Sequence, residues 1–163
     1  MDHMRLLLER LSQITLLYVE DDKALREINV ALFKKLFKKV VIAEDGSIGL
    51  VRYITHFEEN ETFFDLVITD MVMPKLDGIG MIREIKKLNE EQNIIVMSAY
   101  QEKEYMFELI NLGVDGYLQK PIQTEQLYSI LERSAYWIYI RQKNEKYLHE
   151  IESLNRKLLR KNK

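Results

Sequence analysis

Four places in the chain bring together residue types that could do phosphoryl or metal chemistry. The first is the acidic run Glu20-Asp21-Asp22, followed by Asp70 fifty residues after Glu20, then Ser98 and Lys120. Adjacent carboxylates repel one another, and each ionised group makes the next harder to ionise, so a cluster of Glu20, Asp21 and Asp70 calls for a cation. Hard oxygen donors with positions left over for water suit Mg²⁺, with Mn²⁺ as the alternative. Asp22 has a simpler explanation, since it stands just before a helical run and can cap the bare N–H groups of the first turn. Lys120, beside clustered carboxylates, can counter their charge or grip a phosphoryl group, and Pro121 after it restricts its backbone. Other chemistries are excluded by composition. The 163 residues hold no cysteine and only three scattered histidines, His3, His56 and His149, so neither a thiolate site nor a histidine zinc cluster is available.

These residues need a frame that delivers them to one place. Short β-branched apolar runs recur at 14–19, 40–43, 65–69, 93–97 and 116–118, separated by helix-period stretches at 23–37, 47–57, 78–88, 102–112 and from Thr124 onward. Runs such as Leu66-Val67-Ile68 and Ile94-Ile95-Val96 are apolar at successive positions, so both faces of the sheet are covered. The expected fold class is α/β, a doubly wound five-stranded parallel sheet with an extended C-terminal helix. In that architecture the carboxyl ends of the strands form the functional rim, where Glu20, Asp21, Asp70, Ser98 and Lys120 all fall.

The domain reading is a lead-in helix over 1–13, a body over 14–133 and a helical linker over 134–163. Charge divides the same way: the first 133 residues carry 16 Lys and Arg against 23 Asp and Glu, and the last 30 carry 8 against 3. An acidic body argues against direct nucleic-acid binding, and the basic tail reads as a solvated helix because its apolar residues keep a helical period. No stretch approaches the roughly 18 uncharged residues of a membrane span, and the interleaved charges of the first dozen residues differ from a secretory signal, so a cytoplasmic location is expected.

Four fragments carry a resemblance. Leu16-Leu17-Tyr18-Val19-Glu20-Asp21-Asp22, the run from Asp65 to Gly78 containing Thr69-Asp70-Met71-Val72-Met73-Pro74, Val96-Met97-Ser98-Ala99, and Gly116-Tyr117-Leu118-Gln119-Lys120-Pro121 stand in order at expected strand ends. Together they resemble the receiver domain of two-component response regulators, with its flavodoxin-like fold. The resemblance implies that Asp70 accepts a phosphoryl group from a phosphohistidine of a sensor histidine kinase or phosphotransfer protein. It implies metal ligation by Glu20, Asp21, Asp70 and the main-chain carbonyl of Val72, with Asp21 more direct than Glu20. Ser98 and Lys120 would contact phosphoryl oxygens, and Tyr117 matches an aromatic switch position. Ser98 would move toward the phosphoryl group and vacate space for Tyr117. The surface of the fourth helix of the body, the fifth strand and the fifth helix would then change and control an output domain or partner. On this reading the chain is no enzyme beyond its own phosphorylation and dephosphorylation.

Val72 and Tyr100, two residues beyond Asp70 and Ser98, are poor at orienting an attacking water, so a long-lived acyl phosphate is expected. Val72 also weakens a dehalogenase-type phosphatase, which wants a second acid at that place. The three acids after the first strand weaken a flavodoxin-like cofactor binder, because they repel phosphate in the absence of metal. In the tail, counting by sevens from Ile130 gives Ile130, Trp137, Asn144, Ile151 and Leu158, with companions Arg133, Ile140, Tyr147, Leu154 and Lys161. This seam suggests a parallel coiled-coil homodimer, Asn144 pairing with its mate, against the alternative of one helix packed back on its own domain.

Overall fold

The computed structural model describes residues 2–99 and 105–161. The elements follow in the order α1 (Asp2–Leu11), β1 (Thr15–Val19), α2 (Lys23–Leu36), β2 (Lys39–Ala43), α3 (Gly46–Asn60), β3 (Leu66–Asp70), α4 (Gly78–Leu88), β4 (Asn93–Ser98), α5 (Met106–Asn111), β5 (Gly116–Gln119) and α6 (Thr124–Lys161). All strand pairs are parallel, in the order β2-β1-β3-β4-β5. The chain therefore winds one way from β1 to β2 and the other way from β3 to β5, and the reversal between β1 and β3 opens a crevice at their carboxyl ends. The expected fold class stands. Of the helix expected at 102–112, Met106–Asn111 is helical, and 102–104 lie outside the described residues, as does Tyr100.

Strand alternation sorts the core into two layers. Leu16, Tyr18, Ile68, Ile95 and Met97 face α1, α2 and α6, meeting Leu7, Leu11, Phe33, Leu127, Leu131, Ala135 and Ile138. Leu17, Val19, Val67, Ile94 and Val96 face the other way, against Tyr53, Met81, Ile82, Ile85 and Leu109. Aspartates start three helices: Asp22, Asp45 and Asp77 accept N–H bonds from Leu25, Ile48 and Gly80. These caps set where each helix begins after its strand; the loops before α2 and α3 are short, and the one before α4 runs from Met71 to Asp77.

α6 runs unbroken, as the absence of glycine and proline permits, and one stripe of its first half packs on the body. Its buried stripe is Leu127, Leu131, Ala135 and Ile138, spaced four, four and three apart, and it faces the sheet. Ile130 packs against Gly116, and Arg133 donates to the Asp115 carbonyl, so both also contact the body. α1 braces the same region: the Arg10 guanidinium lies 5.5 Å from the Tyr136 ring and 4.9 Å from the Tyr139 ring, and His3 meets Glu132. From Trp137 outward, the apolar side chains Trp137, Tyr147, Ile151, Leu154 and Leu158, all at positions of the count by sevens or its companions, are exposed.

Candidate functional site

β1 and β3 are neighbours, with Val19 opposite Thr69, so the residues that follow, Glu20 and Asp70, leave the sheet side by side. Asp70 is in turn opposite Met97, which places Ser98 one step further along β4, and Ser98 pairs with Gln119 just before Lys120. The register alone thus gathers the four predicted positions on one rim.

Lys120 is the hub. Its ammonium donates to Asp70 Oδ2 at 2.7 Å and to Glu20 Oε2 at 2.9 Å. The Lys120-Pro121 peptide is cis, and the Lys120 N–H donates to the Ser98 carbonyl at 2.7 Å, tying the ends of β4 and β5 together. Glu20 is fully buried, Asp70 nearly so, and Asp21 is exposed. Burial pushes the Glu20 carboxyl above its ordinary range; the Lys120 bond opposes this, and the Asp70 charge adds to it. Burial alone would lower the Lys120 ammonium, but its bonds to Asp70 and Glu20 outweigh that and hold it above its ordinary value.

One oxygen from each of Glu20, Asp21 and Asp70 lies within 4.8 Å of the others. One ammonium against three carboxylates leaves negative charge over, and every donor is a hard oxygen, so the residues fit a divalent cation such as Mg²⁺. The loop that presents them is itself fixed. Arg26 Nη1 donates to the carbonyls of Glu20 at 2.6 Å and Asp21 at 3.1 Å, and the Asp22 N–H donates to Glu20 Oε1 at 3.2 Å. At Asp70 the Met71 N–H donates to Oδ1 at 2.7 Å, which orients the carboxylate with Oδ2 toward Lys120. Val72, with an exposed side chain, starts the next loop, which closes where the Gly78 N–H meets the Met71 carbonyl at 2.8 Å. A Cβ on Gly78 would sit 2.2 Å from the Asp70 carbonyl oxygen, so only glycine allows this approach.

Ser98 is buried, donates to the Ala99 carbonyl at 2.9 Å, and accepts from the Tyr117 hydroxyl at 2.9 Å. Each expected site residue among those described is therefore on the rim, Tyr117 already turned toward Ser98. Asp22 caps α2, as its position before a helical run suggests. Arg26 and the Asp45–Lys75 pair near the site carried no signal in the sequence reading; a basic residue one turn into the helix after an acidic strand end is the pattern that finds Arg26. The groove of about 690 Å³ bounded by Lys86, Trp137 and Arg141 lies elsewhere, at the start of β4. There Lys86 is bonded to the carbonyls of Glu90, Gln92 and Gly113, and Arg141 to the Glu91 carbonyl and Asn93 Oδ1.

Comparison with known proteins points the same way. The family model for the response regulator receiver domain matches residues 16–132. The transcriptional regulatory protein ZraR of Escherichia coli K12 is 33% identical over 121 residues, 74% of this chain and 26% of that protein. The probable C4-dicarboxylate response regulator DctR of Bacillus subtilis is 34% identical over 117 residues, 72% of this chain and 50% of that one. The chain thus spans a quarter to a half of the length of these curated relatives. Among solved structures, the N-terminal domain of an uncharacterized protein from Wolinella succinogenes superposes with a TM-score of 0.68 at 34% identity, over 78% of this chain and 98% of that one. A response regulator receiver domain protein from Clostridium thermocellum superposes with a TM-score of 0.66 at 26% identity, again over 78% and 98%. With the family matched over most of the body and its strand-end residues gathered on one rim, the chain belongs to the response regulator receiver domains of two-component systems.

Proposed function

We propose that Asp70 is a phosphoacceptor, taking its phosphoryl group from a phosphohistidine on a sensor histidine kinase or phosphotransfer protein. The observation that carries this is the Lys120 ammonium shared between Asp70 and Glu20 inside a group of three carboxylates. In the reaction an Asp70 oxygen attacks phosphorus, the P–N bond breaks, and its electron pair returns to the imidazole. Such transfer runs through a loose, in-line transition state and needs positioning and charge neutralisation more than covalent help. Mg²⁺, or Mn²⁺, held by Glu20, Asp21, Asp70 and the Val72 carbonyl would neutralise charge on the transferring oxygens. Lys120 is placed to release Asp70 Oδ2 and follow the phosphoryl oxygens as they arrive, while Ser98 offers its hydroxyl to another.

On this reading the chain acts on no substrate other than itself, turning over only its own acyl phosphate. The altered surface would be α5, β5 and α6, read by a partner or a downstream domain in the cytoplasm, and the acidic body would not itself engage nucleic acid. Among the described residues no helix is long and apolar enough to cross a membrane. A second copy of the chain is the partner proposed for the outer part of α6, because its exposed apolar side chains recur at seam positions.

A radiolabelled small phosphodonor tests the reading. The chain with Mg²⁺ should acquire a hydroxylamine-labile label, Asp70→Asn should acquire none, and omitting Mg²⁺ should remove most of it. Label retained in Asp70→Asn would overturn the assignment.

A further inference from the structure

The loops after β2 and β3 meet, and an ion pair joins them. Lys75, five residues beyond Asp70, has a φ of 66°, in the left-handed region that side-chain-bearing residues rarely adopt. Its ammonium lies 2.8 Å from Asp45 Oδ2. Asp45 stands at the end of the β2–α3 loop, its side chain 3% exposed, and its other oxygen accepts the Ile48 N–H that starts α3. The junction tightens at the next residue: Gly46 donates its N–H to the Leu76 carbonyl at 3.1 Å, and a Cβ there would lie 2.2 Å from that oxygen.

Together with the Gly78 to Met71 bond, these contacts hold the segment after Asp70 at Lys75, Leu76 and Gly78. Val72 lies between Met71 and Lys75, inside the loop that these contacts close. A buried carboxylate anchored to a helix start is a rigid post, while the strained Lys75 is the part that would relax if released. Neither side chain is among the oxygens of the acidic cluster, so neither ligates a cation there directly.

We propose that the Asp45–Lys75 ion pair is a positioning device for the acceptor loop, fixing the Val72 backbone where its carbonyl completes the cation site. The proposal rests on the phosphoacceptor reading, and it makes Asp45 and Lys75 positioning residues for that chemistry. Simple charge effects predict something different. Removing the positive Lys75 would relieve Coulomb repulsion and tighten cation binding, and removing the negative Asp45 would remove attraction and weaken it. A positioning device weakens it in both cases.

The test is Mg²⁺ titration calorimetry on the full chain, with Lys75→Met, Asp45→Asn and the double variant. Asn retains the helix cap while removing the charge. Each single variant should bind Mg²⁺ about three- to tenfold more weakly, less than the loss typical of partners bonded directly to a metal ligand. The double variant should match the singles, because the pair acts as one unit. With a small phosphodonor, the half-saturating Mg²⁺ concentration should rise by the same factor while the maximal labelling rate stays within about twofold. Lys75→Gly, which relieves the left-handed backbone, provides a folded counterpart should Lys75→Met unfold, and it should show the same weakening. Unchanged or tighter Mg²⁺ binding in the folded Lys75 variants overturns the proposal. A parent chain that neither binds Mg²⁺ nor labels on Asp70 overturns the phosphoacceptor reading instead, and the device with it.

Discussion

The Tyr117 hydroxyl donates to Ser98 Oγ at 2.9 Å, so the half-buried ring on β5 already faces the serine at the end of β4. The family resemblance implies that Ser98 moves and vacates space for Tyr117; in this structure the two hydroxyls are hydrogen-bonded. A serine hydroxyl has one proton to give and two lone pairs. Ser98 gives that proton to the Ala99 carbonyl, and it can redirect it to a phosphoryl oxygen while still accepting from Tyr117. The ring would then travel with the serine. Tyr117→Phe should cost about 1 kcal/mol in urea unfolding, the usual net value of one hydrogen bond. It should also abolish the phosphorylation-dependent change in amide exchange over 106–119. An undiminished change in this variant would break the proposed link.

Val72 sets the expected lifetime of the acyl phosphate. Its side chain is 58% exposed, two residues beyond Asp70, and it carries no group that could align a water molecule. Tyr100, the other residue invoked for slow decay, lies outside the described residues, so the expectation rests on Val72. Val72→Asn should hasten decay of the label about threefold or more by positioning water. Equal or slower decay, measured after removal of the phosphodonor, sinks the idea.

His56 offers a stability signal away from the rim. Its ring is buried and stacked on Phe64 with centroids 3.9 Å apart, and Nδ1 is 3.3 Å from Asn60 Nδ2. Burial lowers its pKa below 6.5 and Lys39 adds to this, while Asp65 and Glu59 oppose it. The unfolded chain therefore binds the proton at a higher pH than the folded one. Stability contributed here is present above 6.5 and is lost as pH falls through that value toward the depressed folded value. Urea midpoints at pH 7.5 and 5.5 should fall further for the parent chain than for His56→Phe, whose ring can keep the stack. Parallel declines would show that His56 is not the titrating group.

The strands were readable because burial on both faces leaves apolar residues at successive positions, as at Leu66-Val67-Ile68 and Ile94-Ile95-Val96. The site followed from them, since a parallel sheet sends every strand's carboxyl end to the same rim. What escaped was contact made with backbone atoms. Arg26 reaches the carbonyls of Glu20 and Asp21, which any residue type would present, and Lys75 owes its role to a backbone turn that its own residue type does not announce. In α6 two stripes overlap in sequence, one facing the sheet through Leu127, Leu131, Ala135 and Ile138, the other facing outward. Periodicity alone could not assign Ile130 and Arg133 to the body.

The outer part of α6 supports the last prediction. Among the described residues, Arg141, bonded to the Glu91 carbonyl and Asn93 Oδ1, and Gln142, bonded to Asp65 Oδ1, are the last of α6 with side-chain hydrogen bonds to the body. Beyond them Tyr147, Leu148, Ile151, Leu154, Leu158 and Leu159 are exposed. Most helical stability in proteins comes from packing of an apolar face, and each large apolar side chain gains about 1.5–3 kcal/mol on full burial. A second helix would supply that packing. With Ile130 and Arg133 in contact with the body, the proposed pairing seam would begin at Trp137 and run through Ile140, Asn144, Tyr147, Ile151, Leu154 and Leu158. Asn144 at a core position favours a parallel, in-register pair through its mate. The flanks add nothing, since Lys143 would face Leu148 and Glu150 would face Asn155. At tens of micromolar the full chain should sediment as a dimer and a chain ending at Gln142 as a monomer, with the shortened chain also losing helical circular dichroism. Equal monomeric mass for both would leave the outer helix without a second copy and rule out a coiled coil as the route from the phosphorylated rim to an output domain.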